Sequence, residues 1–267
     1  MDETIIEGSS KGWGGFGRGR GGTGMGPRRM CNKGGGVIIG GTHPVVMQSM
    51  LTCDTMDTAE CVRQTLALVA VGCQIVRITA PTVNDAANLR HIVAALRQRG
   101  CRVPIVADIH FDWRIALRCM DFPIAKIRIN PGNIDAEWKV REVVAKAKDK
   151  GIPIRIGINA GSLPRDLAME QDVVSAAIKA AEREIELLES MSFNDIVVSL
   201  KMNQPDEVIR ANEEFSLRYP YPLHLGVTEA GPLVAGIVRN TAALVPLLKK
   251  GIGATIRVSL SDTMEQE

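Results

Sequence analysis

The chain has 267 residues, 45% hydrophobic and only 4% aromatic, with 32 Lys and Arg against 30 Asp and Glu for a net charge of +2. That length suits one large Ala/Val/Ile/Leu-packed α/β domain, while the near-cancellation of charge says little about partners. No run of eighteen apolar residues offers a membrane-spanning helix, and the N-terminus lacks the apolar stretch of a secretory signal, so a cytoplasmic setting is expected, or a plastid-like compartment in a eukaryote.

Residues 1–36 stand apart from the rest. The stretch GWGGFGRGRGGTGMGPRR is glycine-rich, with Arg18, Arg20, Arg28 and Arg29 interspersed and neither helical nor strand periodicity. The composition predicts a flexible arm. RGG-like segments can bind RNA, but this one is short and a nucleic-acid partner is not expected. The six cysteines, Cys31, Cys53, Cys61, Cys73, Cys101 and Cys119, include no CxxC pair. Such spacing supports neither a zinc site nor a disulfide framework, and they read as small buried hydrophobes.

From Val37 onward one unit repeats: strand, polar loop, amphipathic helix, closing glycine. Strands are predicted over 45–49, 74–79, 104–108, 125–130, 153–159, 195–201, 223–228 and 254–259. Between them, Leu89, Ile92, Val93 and Leu96 mark one helix, and Val174, Ile178, Ile185 and Leu188 mark another over 172–190. Gly72, Gly100 and Gly151 stand where a helix C-terminus precedes a strand. Pro246 falls inside a predicted helix and should kink or shorten it. Eight strands alternating with seven helices predict a (β/α)8 TIM barrel over 37–267, its last helix truncated. An open doubly wound sheet is the runner-up, but it would not place polar groups at nearly every strand end.

Those polar groups carry the functional reading. Arg77 (IVRIT), Arg128 (KIRIN), Arg155 (PIRIG), Lys201 (VVSLK) and Arg257 (TIRVS) sit on otherwise apolar strands. A buried cation is costly unless paired, so five of them point to an anionic ligand. MQSM offers Gln48 and Ser49, and IVADIHFD puts the acceptor Asp108 and the imidazole of His110 at one strand end. In KIRINPGN, Asn130 and Asn133 flank a Pro131–Gly132 turn, and PIRIGINAGS repeats the design with Arg155, Asn159 and a small-residue loop whose N–H groups could cradle phosphate oxygens. HLGVTEAG supplies Glu229, a candidate general acid beside the cations, as well as His224 and Thr228. On the last strand, alternation places Arg257 and Ser259 on one face. Guanidinium forks suit phosphate oxygens, so a diphosphate would relieve the repulsion of such a rim.

Taken in order, VMQSM, ADIHFD, RINPGNI, IPIRIGINAGSL, HLGVTEAG and TIRVSL resemble the 4-hydroxy-3-methylbut-2-enyl diphosphate synthase family, over residues 37–261. The resemblance implies a TIM barrel followed by a smaller cluster-binding domain. It also implies reductive opening and dehydration of 2-C-methyl-D-erythritol 2,4-cyclodiphosphate in isoprenoid biosynthesis, with electrons from ferredoxin or flavodoxin through a [4Fe-4S] cluster. Carried across by motif, Arg77, Arg128, Arg155, Lys201, Arg257 and Ser259 would hold the diphosphate with Asn159 beside them. Asp108 and His110 would line the same cavity, and Glu229 would assist proton delivery. A homodimer is implied as well. The loop Met202-Asn203-Gln204-Pro205 departs from the small residues usual after that lysine. The family's cluster ligands, three cysteines and a glutamate, lie beyond the barrel and have no match here, so the chain is expected to supply the substrate-binding barrel without the iron–sulfur domain and to be inactive alone. Two other readings stay open: a pteroate-synthase-like diphosphate-binding barrel that needs no iron, and a non-catalytic ligand-binding fragment.

Overall fold

A computed structural model describes residues 31–34, 36–110, 112–130, 134 and 136–267. Residues 1–30, most of the arm expected to be flexible, lie outside the described residues. The boundary expected at residue 37 falls inside an antiparallel hairpin of β1 (Cys31–Gly34) and β2 (Val37–Gly40), in which Gly34 pairs with Val37.

Eight parallel strands follow: β3 (Val46–Met50), β4 (Ile75–Thr79), β5 (Ile105–Asp108), β6 (Lys126–Ile129), β7 (Ile154–Asn159), β8 (Ile196–Lys201), β9 (His224–Leu225) and β10 (Thr255–Ile256). Their spatial order is β8-β7-β6-β5-β4-β3-β10-β9, and a parallel bridge between Val198 and Leu223 joins the two ends of that row. The ring is the expected TIM barrel. Seven α-helices among the described residues cover it: α1 (Thr58–Ala70), α2 (Val83–Gln98), α3 (Trp113–Cys119), α4 (Glu137–Lys150), α5 (Val173–Ser190), α6 (Pro205–Arg218) and α7 (Leu233–Lys249).

Local chemistry starts and stops these helices. Asp57 caps α1 by accepting from the Glu60 N–H, and Thr82 with Asp85 forms a reciprocal capping box on α2. Pro205, part of the departing loop after Lys201, occupies the first turn of α6, where its missing N–H has no helical role. Gly151 ends α4 with φ of 61°, a left-handed conformation that a side chain would strain. The predicted stripes of α2 and α5 are buried against the strands. Pro246 does not shorten α7, which runs on to Lys249 because a proline so near the C-terminus removes only one late hydrogen bond.

The last two strands are shorter than predicted. The Val227 N–H leaves the ladder for the Asn240 side chain on α7, 3.2 Å away, and the Thr228 N–H reaches back to the Met202 carbonyl at 2.9 Å. These departures turn the chain into rim loops.

Inside the ring, neighbours in register share a face. Arg77 pairs with Met50 and Val106, Asp108 with Thr79 and Arg128, and Arg128 with Arg155, so all of them point inward. The N-terminal end is apolar instead. Ile39 of the hairpin packs there with Val46, Ile75, Val106 and Ala254, a small core separate from the main one between strands and helices. The hairpin is a plug. The strand cations gather toward the opposite, C-terminal end of the barrel, where TIM-barrel sites lie.

Candidate anion site at the barrel rim

At the C-terminal mouth lies a cavity of about 150 Å³. All five strand cations line it: Arg77, Arg128, Arg155, Lys201 and Arg257. Asp108, His110, Asn159 and Ser259 complete the predicted set within it. Asn130, buried at the end of β6, and Glu229 are not part of this lining. Glu229 is exposed on the loop after β9, with φ of 53°. The turn expected at 131–133 lies outside the described residues.

Asp108 organises the cations. Its carboxylate is buried and stands 3.4 Å from Arg77 Nε, 3.2 Å from Arg128 Nη1 and 3.3 Å from His110 Nε2. Burial alone would raise its pKa, but Arg77, the His110 hydrogen bond, Arg128 and Arg155 together hold the carboxyl well below the usual carboxylate range. Asp108 is therefore ionised, and adjacency of β4, β5 and β6 lets one acid serve two guanidinium groups.

Two of the remaining cations, Arg155 and Lys201, are poorly compensated. Arg155 is 2% exposed, and its Nε and Nη1 have no hydrogen-bond partner. Burial, then the like charges of Arg77 and Arg128, pull it well below its ordinary range. A guanidinium keeps its proton regardless, so the pressure is for an anion. Lys201 is held well below the ordinary ammonium range by burial, then by Arg155 and Arg257. Arg257 finds a carboxylate: its Nη2 stands 2.8 and 2.9 Å from Oε1 and Oε2 of Glu267, and that Oε1 also accepts from the Leu260 N–H.

Two inward glycines make room for these long side chains. A Cβ at Gly157 would lie 2.5 Å from Arg128 Nε, and one at Gly226 would lie 2.9 Å from Lys201 Nζ and 2.3 Å from the Arg257 carbonyl oxygen. The loop after Asn159 opens with a single 3₁₀ turn, Ala160–Ser162. Ser199, Val227 and Thr228 also line the cavity, although only Thr228 drew notice in the sequence. Alternation along VVSLK puts Ser199 on the face of Lys201, which is the signal that could have found it.

Comparison with known proteins places this architecture. Residues 32–267 match the family described as the GcpE TIM-barrel domain. The 4-hydroxy-3-methylbut-2-en-1-yl diphosphate synthase (flavodoxin) of Symbiobacterium thermophilum is 46% identical over 237 residues, which cover 88% of this chain and 63% of that protein. The enzyme of the same name from Treponema denticola is 43% identical over 255 residues, covering 86% of this chain and 65% of its own length. The chain thus spans less than two thirds of the curated relatives it matches. Among solved structures, 3-dehydroquinate dehydratase from Geobacillus kaustophilus superposes with a TM-score of 0.60 at 14% identity, over 90% of this chain and 91% of that one. Dihydropteroate synthase from Xanthomonas albilineans gives 0.60 at 11% identity, over 89% and 95%. Likeness at such identities shows the fold alone and does not favour the pteroate-synthase reading.

Proposed function

The chain belongs to the GcpE TIM-barrel domain family, and from that premise we propose that it is the substrate-binding barrel of a 4-hydroxy-3-methylbut-2-enyl diphosphate synthase. The ligand is 2-C-methyl-D-erythritol 2,4-cyclodiphosphate, and the reaction is its reductive ring opening with loss of water. One observation carries this reading: five strand cations converge on a single cavity whose lining, among the described residues, holds one carboxylate, Asp108. Their residual positive charge matches a diphosphate and would be hard to sustain empty.

In this reading Arg155, Lys201 and Arg257 grip the diphosphate oxygens, with Ser259 and Asn159 donating beside them. Asp108 fixes Arg77 and Arg128 so that their free N–H groups face the ligand, and it holds the His110 ring at the mouth through Nε2. Glu229, on its exposed loop, supplies a proton as the hydroxyl leaves. Orientation of the ring is the barrel's contribution. Electrons would come from a flavodoxin or ferredoxin through a [4Fe-4S] cluster, the chemistry that group supplies when bound. The described residues do not fit the cluster: among them no three Cys, His, Asp or Glu side chains converge to hold a metal. A barrel without that cluster is expected to bind the cyclodiphosphate and not to turn it over. A homodimer in the cytoplasm is part of the same proposal; no helix among the described residues is long and apolar enough to cross a membrane.

Titration calorimetry of the chain with the cyclodiphosphate tests the reading. Binding is expected, together with its loss in Arg155→Met. No binding by the unaltered chain, or equal binding by the variant, would overturn it.

A further inference from the structure

Below the anion cavity lies a second polar tier. Lys126 is two residues before Arg128 on β6 and therefore shares its inward face. It is 2% exposed, and its Nζ has no hydrogen-bond partner. His224 on β9 is fully buried, with Nδ1 2.7 Å from Thr255 Oγ1 and no partner for Nε2. Gln48 on β3 is buried with neither amide atom bonded.

Among the described residues, no carboxylate is in place to hold a charge on Lys126. Facing it are Arg155 from β7 and His224 from β9; above them stand Arg77, Arg128 and Lys201 from β4, β6 and β8, and Arg257 just past β10. Asp108 on β5 is already engaged by Arg77, Arg128 and His110, and Glu267 by Arg257. Beneath lies the apolar floor of Ile39, Val46, Ile75 and Val106.

We infer that Lys126 is a proton-accepting counter-charge for the bound anion, an uncharged amine in the empty barrel that takes one proton from solvent when a diphosphate fills the cavity. The inference rests on the cavity being a diphosphate site. Burial, then Arg155, lower the Lys126 pKa to about 7, and His224 is held well below its ordinary range by burial, then Arg155 and Lys201. An anion above the tier offsets the repulsion and favours the ammonium. The amine gains one proton, and no bond in the ligand changes. Because the bound-state pKa is the higher, affinity is full below about pH 7 and falls as pH rises toward the bound-state value.

The cyclodiphosphate suits the test, because each phosphorus carries one acidic hydroxyl, ionised throughout the neutral range. Calorimetry near pH 8, in two buffers of different ionisation enthalpy, counts the protons taken up. Lys201 contributes its own share, so the quantity read is the difference between wild type and Lys126→Met. The expected difference is close to one proton per ligand. Wild-type affinity should also weaken by about tenfold between pH 7 and pH 8.5, against a flatter profile in the variant. Lys126→Met removes an orphaned buried amine and should fold, as a thermal melt will show; Lys126→Gln serves if it does not. Equal proton uptake by wild type and the folded variant, with binding intact, would overturn the role of Lys126 and leave the cavity assignment standing. Failure of wild type to bind would overturn both.

Discussion

Arg128 lies against the neighbouring strand β7 in space that only a glycine at position 157 leaves open, since a Cβ there would sit 2.5 Å from Arg128 Nε and 2.8 Å from its Nη2. Gly157→Ala must therefore move a guanidinium that is tied to Asp108. We expect a stability loss of about 1–3 kcal/mol, typical of overpacking, and about tenfold weaker binding of the cyclodiphosphate. Chemical denaturation and calorimetry measure the two. An unchanged affinity would show that Arg128 does not touch the ligand.

Removing the Asp108 charge should expose the cost of the cation cluster. Asp108→Asn leaves Arg77 and Arg128 facing each other without their acid and should destabilise the chain by about 3–5 kcal/mol. The folded-state pKa of Asp108 is depressed, so its contribution is present above the ordinary carboxylate range and is lost as pH falls through the depressed value. Acid titration followed by circular dichroism should show wild type losing stability across that window, and Asp108→Asn losing less.

Arg155 should show opposite signs for stability and binding. Two of its nitrogens are buried without partners, so Arg155→Met should raise the melting temperature of the empty chain, by analogy with buried charges replaced by apolar side chains at a gain of about 1–4 kcal/mol. The same change should weaken cyclodiphosphate binding by at least about tenfold, the worth of a charge-assisted hydrogen bond. A variant that is both less stable and equally avid would contradict this account of Arg155.

Glu267 competes with any anion for Arg257, which it holds through both carboxylate oxygens. Ser49 Oγ, 3.4 Å away, adds a further contact. Glu267→Gln should release the guanidinium, tightening anion binding by several-fold while slightly lowering the melting temperature of the ligand-free chain. Weaker binding in this variant would mean that the Glu267 carboxylate positions Arg257 for the ligand.

The strand cations were legible because a charge interrupting an apolar run needs no tertiary knowledge to stand out. Alternation from each of them would also have shown Lys126 beside Arg128, and Ser199 beside Lys201, on the inner face. Gly157 passed as an ordinary member of the predicted strand 153–159, although its use is to accept a neighbour's side chain. Other features depended on assembly. That Asp108 serves both Arg77 and Arg128 follows from β4, β5 and β6 lying side by side, and the Glu267–Arg257 pair follows from how the chain folds back over the rim. Glycine-rich surroundings hid the hairpin, because a strand as short as CNKG carries too few apolar residues to show a period.

The plug formed by Ile39 against Val46, Ile75 and Val106 makes the barrel a blind alley with its neck at the rim. Whatever reaches the deep tier must pass through the space that the ligand fills. A proton destined for Lys126 has to arrive ahead of the anion or together with it, because the anion, once seated, corks the passage. Arrival order is in this way written into the architecture by a hairpin at the opposite end of the molecule from the ligand.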